Sequence, residues 1–533
     1  MPNDSQKLDA TFARALEMQG EGRIREALAA FEECTAIAPA NARAHAHAGL
    51  ASMRLDDWGK GIAHFRVAIA AAPQVAEGWM HLASALERVG RLDDADRVAR
   101  QAVSLQPALA GAWNTLGLIK LDRGRYVEGR EHLLRALEIE PRFALALMNL
   151  GCCEHGLGRD DDAFASLHRA LDLDPTLASA HYNLGALHHK RGQHADAMRH
   201  YREAIRLRPD DAQSHFNLAY ASFITGRIEE GWREYAWRSQ RREHEAVAQH
   251  RGGAYALPAP AELAEARLAV LAEQGLGDIL FFLRFAPALR PRVAAMEFVG
   301  DERLHGMLGR TGLFDTFARR AEDLGQGERK EVLAGDLPLI GPGTLATTPP
   351  PLELSPDPAR LAAMRMRLAA LGPAPYVALA WRAGEPKSGR IENLFKEIAP
   401  EALGEALRGV GATWIAIQRD PRPGEIEALA QALGAPVHDL SGVNTDLEEA
   451  LALLAAVDEY VGVSSTLVHL RAGVGASSRI VVPFPHEWRW MESGGTSPWF
   501  PRATVYRQGA DRDWSAALSQ LARDLREDGI TSR

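Results

Sequence analysis

A run of hydroxyls followed by an imidazole, Ser464-Ser465-Thr466-Leu467-Val468-His469, comes directly after the apolar stretch Glu459-Tyr460-Val461-Gly462-Val463. Where a buried strand turns into a helix, free amide N–H groups and the helix dipole favour an anion, and hydroxyls add donors. Ser464, Ser465, Thr466 and His469 are therefore candidates for a phosphate-binding corner. A second pattern, Gly275-Leu276-Gly277-Asp278, ends the apolar run that starts at Arg267. Gly275 and Gly277 permit a sharp turn and close approach to a ligand, and Asp278 stands at a helix start. There it serves as an N-cap that satisfies orphan amides, or stands at a turn that a ligand approaches closely. A dinucleotide fingerprint is disfavoured, because the third glycine and a suitable later acidic residue are both missing.

Two further clusters accompany these. The strand-like Tyr376-Val377-Ala378-Leu379-Ala380-Trp381 opens into a loop with Arg382, Lys387 and Arg390. Such cations neutralise a diphosphate, Arg by its fork and Lys as a point charge, although basic loops are also commonly just solvated. Gln418, closing the strand expected over 413–418, is grouped with this donor side. Trp488, Trp490 and Trp499 lie in an aromatic loop, where they either wall a base or sugar site or form a hydrophobic seam between domains.

The elements that position these groups are short apolar runs alternating with amphipathic helices, the pattern of a parallel sheet covered on both faces. Strands are expected at 267–273, 294–299, 337–340, 376–381, 413–418, 437–440, 459–463 and 479–483. Helices are expected near 278–290, 357–371, 424–433, 446–457 and 466 onward. A last helix over about 513–527 is expected to return across the first of two strand-helix halves.

Before residue 242 the pattern differs. Prolines fall at Pro39, Pro73, Pro107, Pro141, Pro175 and Pro209, each step being 34 residues. In that register small residues recur at helix crossings, Gly49, Ala83, Gly117, Gly151, Gly185 and Ala219 in first helices and Ala27, Gly61, Ala95, Gly129, Ala163, Ala197 and Gly231 in second ones. Trp79 and Trp113 occupy a slot for a large side chain. Residues 8–241 resemble the tetratricopeptide family as about seven repeats, which implies a helical superhelix with a concave binding face. Asn149, Asn183 and Asn217 recur in the same register. A carboxamide pairs with both groups of an extended peptide backbone, so these three form a candidate peptide ladder like that of O-linked N-acetylglucosamine transferases, or are ordinary residues of that slot. The ladder fades at His47, His81 and Thr115. The histidines at 45, 47, 181, 188, 189, 194, 200 and 215 partly follow the period, which favours packing or concave positions over a converging metal site.

The glycine- and proline-rich Arg251-Gly252-Gly253-Ala254-Tyr255-Ala256-Leu257-Pro258 marks a connector, placed within residues 242–266. The 533 residues exceed one core, and a net charge of −9 argues against a nucleic-acid binder. Three cysteines, Cys34, Cys152 and Cys153, build no disulfide framework and suit a reducing cytoplasm. No apolar run of about eighteen residues spans a membrane, and the first residues lack a signal region.

The order of the glycine-rich turn, the basic loop, the 464–469 corner and the Trp488-Arg489-Trp490 and Ser497-Pro498-Trp499-Phe500-Pro501 pair resembles bacterial proteins in which tetratricopeptide repeats precede a heptosyltransferase-like GT-B glycosyltransferase domain. The resemblance implies a multidomain chain: an all-α superhelix, then two Rossmann-like α/β halves, 267–372 on the acceptor side and 373–527 on the nucleotide-sugar side. It implies an inverting, metal-independent protein O-glycosyltransferase without a cofactor, with Asp278 as base and a nucleotide-sugar as donor. Flagellin is one candidate acceptor on the repeats, and a homodimer is compatible with them. Ser464 stands where that family usually has an aspartate, so its donor-sugar contact does not transfer. A non-catalytic scaffold with a degenerate GT-B module and a transferase acting on polysaccharide or lipid-linked glycan are the alternative readings.

Overall fold

The computed structural model describes residues 4–250, 254–325, 327–341, 343–384 and 396–527. It divides into two compact units, Met1–Leu187 with Arg206–Pro209, and His188–Ile205 with Asp210–Arg533. This division falls earlier than the expected connector, because the last helix pair packs on the sheets that follow it.

The first unit is a stack of antiparallel helix pairs, beginning Asp4–Gly20 with Ile24–Ile37 and continuing through Ala144–Gly156 with Asp160–Leu173. The small residues lie where expected. A Cβ on Gly117 would stand 2.5 Å from Leu133 and 3.2 Å from the Gly129 carbonyl, so the two helix backbones touch there. The large slot has a polar purpose that periodicity does not reveal: the Trp79 and Trp113 indoles donate to the carbonyls of Pro73 and Pro107, each at 2.9 Å. Between the helices of each pair one residue adopts positive φ, a glycine at 22, 90, 124 and 158 and Asp56, at φ 59°, in the remaining turn.

In the second unit, helices Ala212–Ile224 and Ile228–Tyr235 form the last pair, and helix Ser239–His250 runs through much of the expected connector. Two parallel sheets follow. The first has strands β1 (Arg267–Leu271), β2 (Ala295–Val299), β3 (Thr316–Ala318) and β4 (Lys330–Leu333) in the order β3-β2-β1-β4. The strand expected at 337–340 is instead a short helix, Leu337–Ile340, with Pro338 in its first turn, where a missing N–H is harmless. β3 and β4 escaped the sequence reading because both are short, three and four residues, and neither is an unbroken apolar run.

The second sheet contains β5 (Tyr376–Ala380), while β6 (Arg382–Ala383) and β7 (Lys396–Glu397) pair antiparallel beyond its end. Its other strands are β8 (Thr413–Ala416), β9 (Val437–Asp439), β10 (Glu459–Val463), β11 (Ser478–Val482) and β12 (Ala503–Arg507). The order β12-β11-β10-β5-β8-β9 is doubly wound, with the chain reversing direction between β5 and β10. In open parallel sheets ligands bind outside the carboxyl ends of the strands at that reversal. The terminal helix Ser515–Glu527 packs on the second sheet's side: Leu518, Leu521 and Leu525 cluster with Tyr506 of β12 and with Leu403 and Leu407 of the helix Pro400–Leu407.

Candidate functional site

β10 is buried throughout and delivers Ser464 and Ser465 to the reversal point, where helix Thr466–Gly473 begins. The corner is fixed from behind by Arg471, a fully buried guanidinium that donates to the carbonyls of Ser477, Leu454, Val457 and Asp458. Ser465 occupies the N-cap position yet makes no side-chain cap bond; of the first-turn amides, that of Val468 donates to the Ser465 carbonyl at 3.1 Å, which leaves those of Thr466 and Leu467 to face a ligand. Lys396 Nζ donates to the Ser464 carbonyl at 3.2 Å, which brings a cation from β7 to this corner.

The opposing turn comes from the first sheet. Beyond β1, Gln274 adopts φ 65° and Gly275 caps helix Leu276–Phe282, so Asp278 lies inside the first turn and is not an N-cap. Neither glycine of the pattern has positive φ. Gly277 is needed for proximity instead: a Cβ there would stand 3.1 Å from the His469 ring and 3.4 Å from Thr466 Cα. The glycine-rich turn and the hydroxyl corner are thus in van der Waals contact.

A chain of charges joins them. Asp278, its side chain about a third exposed, pairs with Arg489. Arg489 also donates to Glu487 at 2.8 Å and lies over the rings of Phe281 and Trp488, at 4.6 and 4.5 Å. Glu487 in turn pairs with Lys396. Burial pushes the Glu487 carboxyl up, but Lys396 and Arg489 outweigh it and hold the group below the usual carboxylate range. Burial lowers the Arg489 guanidinium and the two carboxylates more than restore it, so Arg489 stays charged. His469 is driven well below the ordinary imidazole value by burial and by Arg489 and Arg284. It is therefore a neutral imidazole at pH 7.

Other expected members are engaged elsewhere. Arg382 pairs with Glu425 and Glu397 and donates to the Asp420 carbonyl at 2.8 Å. Gln418 is buried; its oxygen accepts from the Trp381 and Arg382 amides at 3.0 and 2.8 Å, and its nitrogen reaches the Arg382 and Arg419 carbonyls. Both close the end of β5. Lys387 and Arg390 lie outside the described residues. Trp488, Trp490 and Trp499 do not wall an open site: all three are buried. Trp488 stacks on Phe223 at 4.5 Å, Trp499 meets Trp232 edge-on at 5.9 Å, and Trp490 stacks on Phe500 at 4.9 Å. They form the hydrophobic seam, the other half of the sequence alternative.

The asparagine positions do not form a uniform open row. His47 and His81 stack on Phe31 and Phe65, and Asn149 is buried with its amide donating to Asn114 at 2.9 Å. Asn183, half-buried, donates to Cys152 Sγ, and Asn217 accepts from Gln213 at 3.3 Å. This slot faces the seam between successive repeats as much as the surface.

Sequence reasoning missed Lys396, Glu487, Arg489 and a cavity of about 790 Å³ outside the carboxyl ends of β1 and β2, lined by Gln274, Gly275, Asp301, Arg303, Arg319 and Arg320 among others. Arg489 carries a sequence signal, a charge between two tryptophans. Beside the cavity, the reversal point of the first sheet is filled by the protein itself. Buried Arg238 binds Glu273 at 2.6 Å and Asp336 at 2.7 Å, and a Cβ on Gly335 would meet both Glu273 and Arg238.

The family models that match this chain fall within its helical part. The Tetratricopeptide repeat family matches residues 12–76 and 80–142 in one form and 178–211 in another, and the TPR repeat family matches 154–192. Protein FlbA of Caulobacter vibrioides is 26% identical over 328 residues, covering 57% of this chain and 53% of that protein. The chain thus spans about half the length of the curated relative it matches. Among solved structures, the Cut9–Hcn1 assembly of the APC/C covers 40% of this chain and 42% of its own at 17% identity, TM-score 0.38. The thermophilic TPR protein TTC0263 of Thermus thermophilus covers 34% and 98% at 22% identity, TM-score 0.32. YrrB, described as a TPR protein with an unusual peptide-binding site, covers 34% and 96% at 18% identity, TM-score 0.28. The helical segment is built of tetratricopeptide repeats, an architecture that suggests protein–protein interaction, and parallel-sheet α/β elements follow it.

Proposed function

We propose that this chain is a GT-B-type protein O-glycosyltransferase that moves a sugar from a nucleotide-sugar to a serine or threonine of a polypeptide held by the repeats. One observation carries the reading: the turn bearing Asp278 and the 464–469 corner, each at the carboxyl edge of its own parallel sheet, meet face to face at Gly277. Under this reading residues 267–372 serve the acceptor and residues 373–527 the donor.

The chemistry is a single displacement with inversion. The acceptor oxygen bonds to the anomeric carbon as the bond from that carbon to the phosphate oxygen breaks. The hydroxyl proton goes to the Asp278 carboxylate, and the nucleoside diphosphate leaves with the electron pair. Lys396 and the first amides of helix Thr466–Gly473 stabilise the leaving charge, a task for preorganised donors. Arg489 orients Asp278.

Co-expression with flagellin, followed by intact-mass measurement, tests the proposal. Wild type is expected to add the mass of a sugar, and Asp278→Asn to lower the modified fraction by roughly 10²-fold or more in initial rate, the range for a lost general base. Equal transfer by both proteins would remove Asp278 from the mechanism. A ligand-binding module without transfer is the second reading, favoured by the engagement of Asp278 with Arg489 and of Arg382 with two carboxylates. It requires nucleotide binding with no added mass on any co-expressed polypeptide.

A further inference from the structure

The last repeat reaches the Asp278 turn at several points. Helix Ala212–Ile224 carries Phe223, fully buried in the aromatic seam, and one turn earlier Tyr220, which is half-buried. The Tyr220 ring meets Trp488 edge-on at 6.3 Å and packs against Phe216 at 4.9 Å. Its hydroxyl is within electrostatic reach of the charges of the site: burial pushes it up to about 12, Arg489 opposes that, and Asp278 and Glu487 add to it. Helix Ile228–Tyr235 ends in a second phenol. The Gln274 amide donates to Tyr235 Oη at 2.8 Å, and Gln274 is the residue whose positive φ turns the chain from β1 into the helix of Asp278. A bulky residue in that conformation costs about 1 kcal/mol and persists where its surroundings hold it. The adjacent Glu273 is held by Arg238, also from the end of the helical segment. The two residues that precede the glycine-rich turn are therefore each gripped from the repeat side.

We infer that the last repeat is one wall of the site: Tyr220 contacts the incoming polypeptide beside the Asp278–Arg489 pair, and Tyr235 is a positioning residue that holds the Asp278 turn through Gln274. The first part rests on the transfer reading, because the group next to the base is the acceptor. A phenol suits an extended peptide, donating to a carbonyl or accepting from an amide while its ring covers apolar side chains.

The full chain allows both parts to be examined. In Tyr235→Phe, amide exchange over residues 272–282 is expected to quicken by about tenfold relative to wild type. Gln274→Leu, which removes the same bond from the other partner, is expected to do likewise, so poor folding of one variant leaves the other. Unchanged exchange in the folded variants overturns the positioning role. With flagellin as acceptor, Tyr220→Ala is expected to raise the acceptor KM by about tenfold at unchanged donor KM, whereas Tyr235→Phe lowers kcat by about tenfold with little change in either KM. Full activity of both variants beside an active wild type overturns the inference alone. If wild type modifies no polypeptide, the acceptor contact falls together with the transfer reading, and the exchange experiment still decides the role of Tyr235.

Discussion

Arg489 answers two carboxylates at once, Asp278 on one side and Glu487 on the other, and Glu487 passes the connection to Lys396 and the Ser464 carbonyl. Removing Lys396 leaves Glu487 paired with Arg489 alone, and removing Arg489 leaves Asp278 without its guanidinium. Lys396 is the cation at the 464–469 corner, so Lys396→Met should weaken the nucleoside diphosphate that best raises the wild-type melting midpoint by about tenfold or more, as for a lost charge-assisted bond. Calorimetric titration checks this; undiminished affinity would put the diphosphate elsewhere. At this scale the sequence was legible where chemistry and local structure coincide. Asp278 and residues 464–469 each sit on a strand-to-helix junction whose pattern is complete within ten residues. Arg489 and Lys396 acquire their meaning from partners far along the chain, and Arg382 lost its expected role to Glu425, a partner no spacing rule supplies.

Among the elements, the repeat helices were the most legible, because the 34-residue period states their crossings directly, and β1, β5 and β10 were legible as unbroken apolar runs. β3, β4 and β12 were not, since edge or short strands lack such runs. The aromatic loop shows a different limit: stacking on a ligand and packing in a seam demand the same tryptophans, and only burial distinguishes them. The turns between repeat helices offer a clean test of backbone preference. Asp56 holds the left-handed conformation that glycine holds at 22, 90, 124 and 158. Asp56→Gly relieves that strain while loosening the unfolded chain, with an expected net gain of roughly 0.5 kcal/mol. Urea unfolding followed by circular dichroism would reveal it, and a loss of stability would mean the Asp56 side chain contributes more than its backbone geometry suggests.

At the scale of the molecule, the second unit should be sensitive to acid. Burial lowers His189 to about 4, His194 to about 3 and His486 to about 4, and it lowers His469 as well. An unfolded histidine takes its proton near pH 6.5, so between there and about pH 4 the unfolded state binds protons that the folded state refuses, and stability falls as pH falls. Each such group contributes up to about 1.4 kcal/mol per pH unit. Glu487, held low by its cations, acts in the same direction below the unfolded carboxylate range. Calorimetry at pH 7.5 and 5.0 should show the melting midpoint of this unit lower at pH 5.0. The boundary between units has a practical counterpart. A fragment of residues 242–533 lacks Phe223, Trp232, Tyr235 and Arg238, which bares the aromatic seam and leaves Glu273 and Asp336 without their guanidinium. It should aggregate, whereas residues 178–533 should be monodisperse in size-exclusion chromatography. The buried Arg238 junction also bears on how such a chain can diversify. Duplicating or deleting one 34-residue period upstream of residue 178 alters the length of the array while leaving the residues gripping the Asp278 turn untouched. Under the proposed transfer reading, the number of repeats can drift across generations, changing which polypeptides are captured, while selection keeps a single chemistry at the other end.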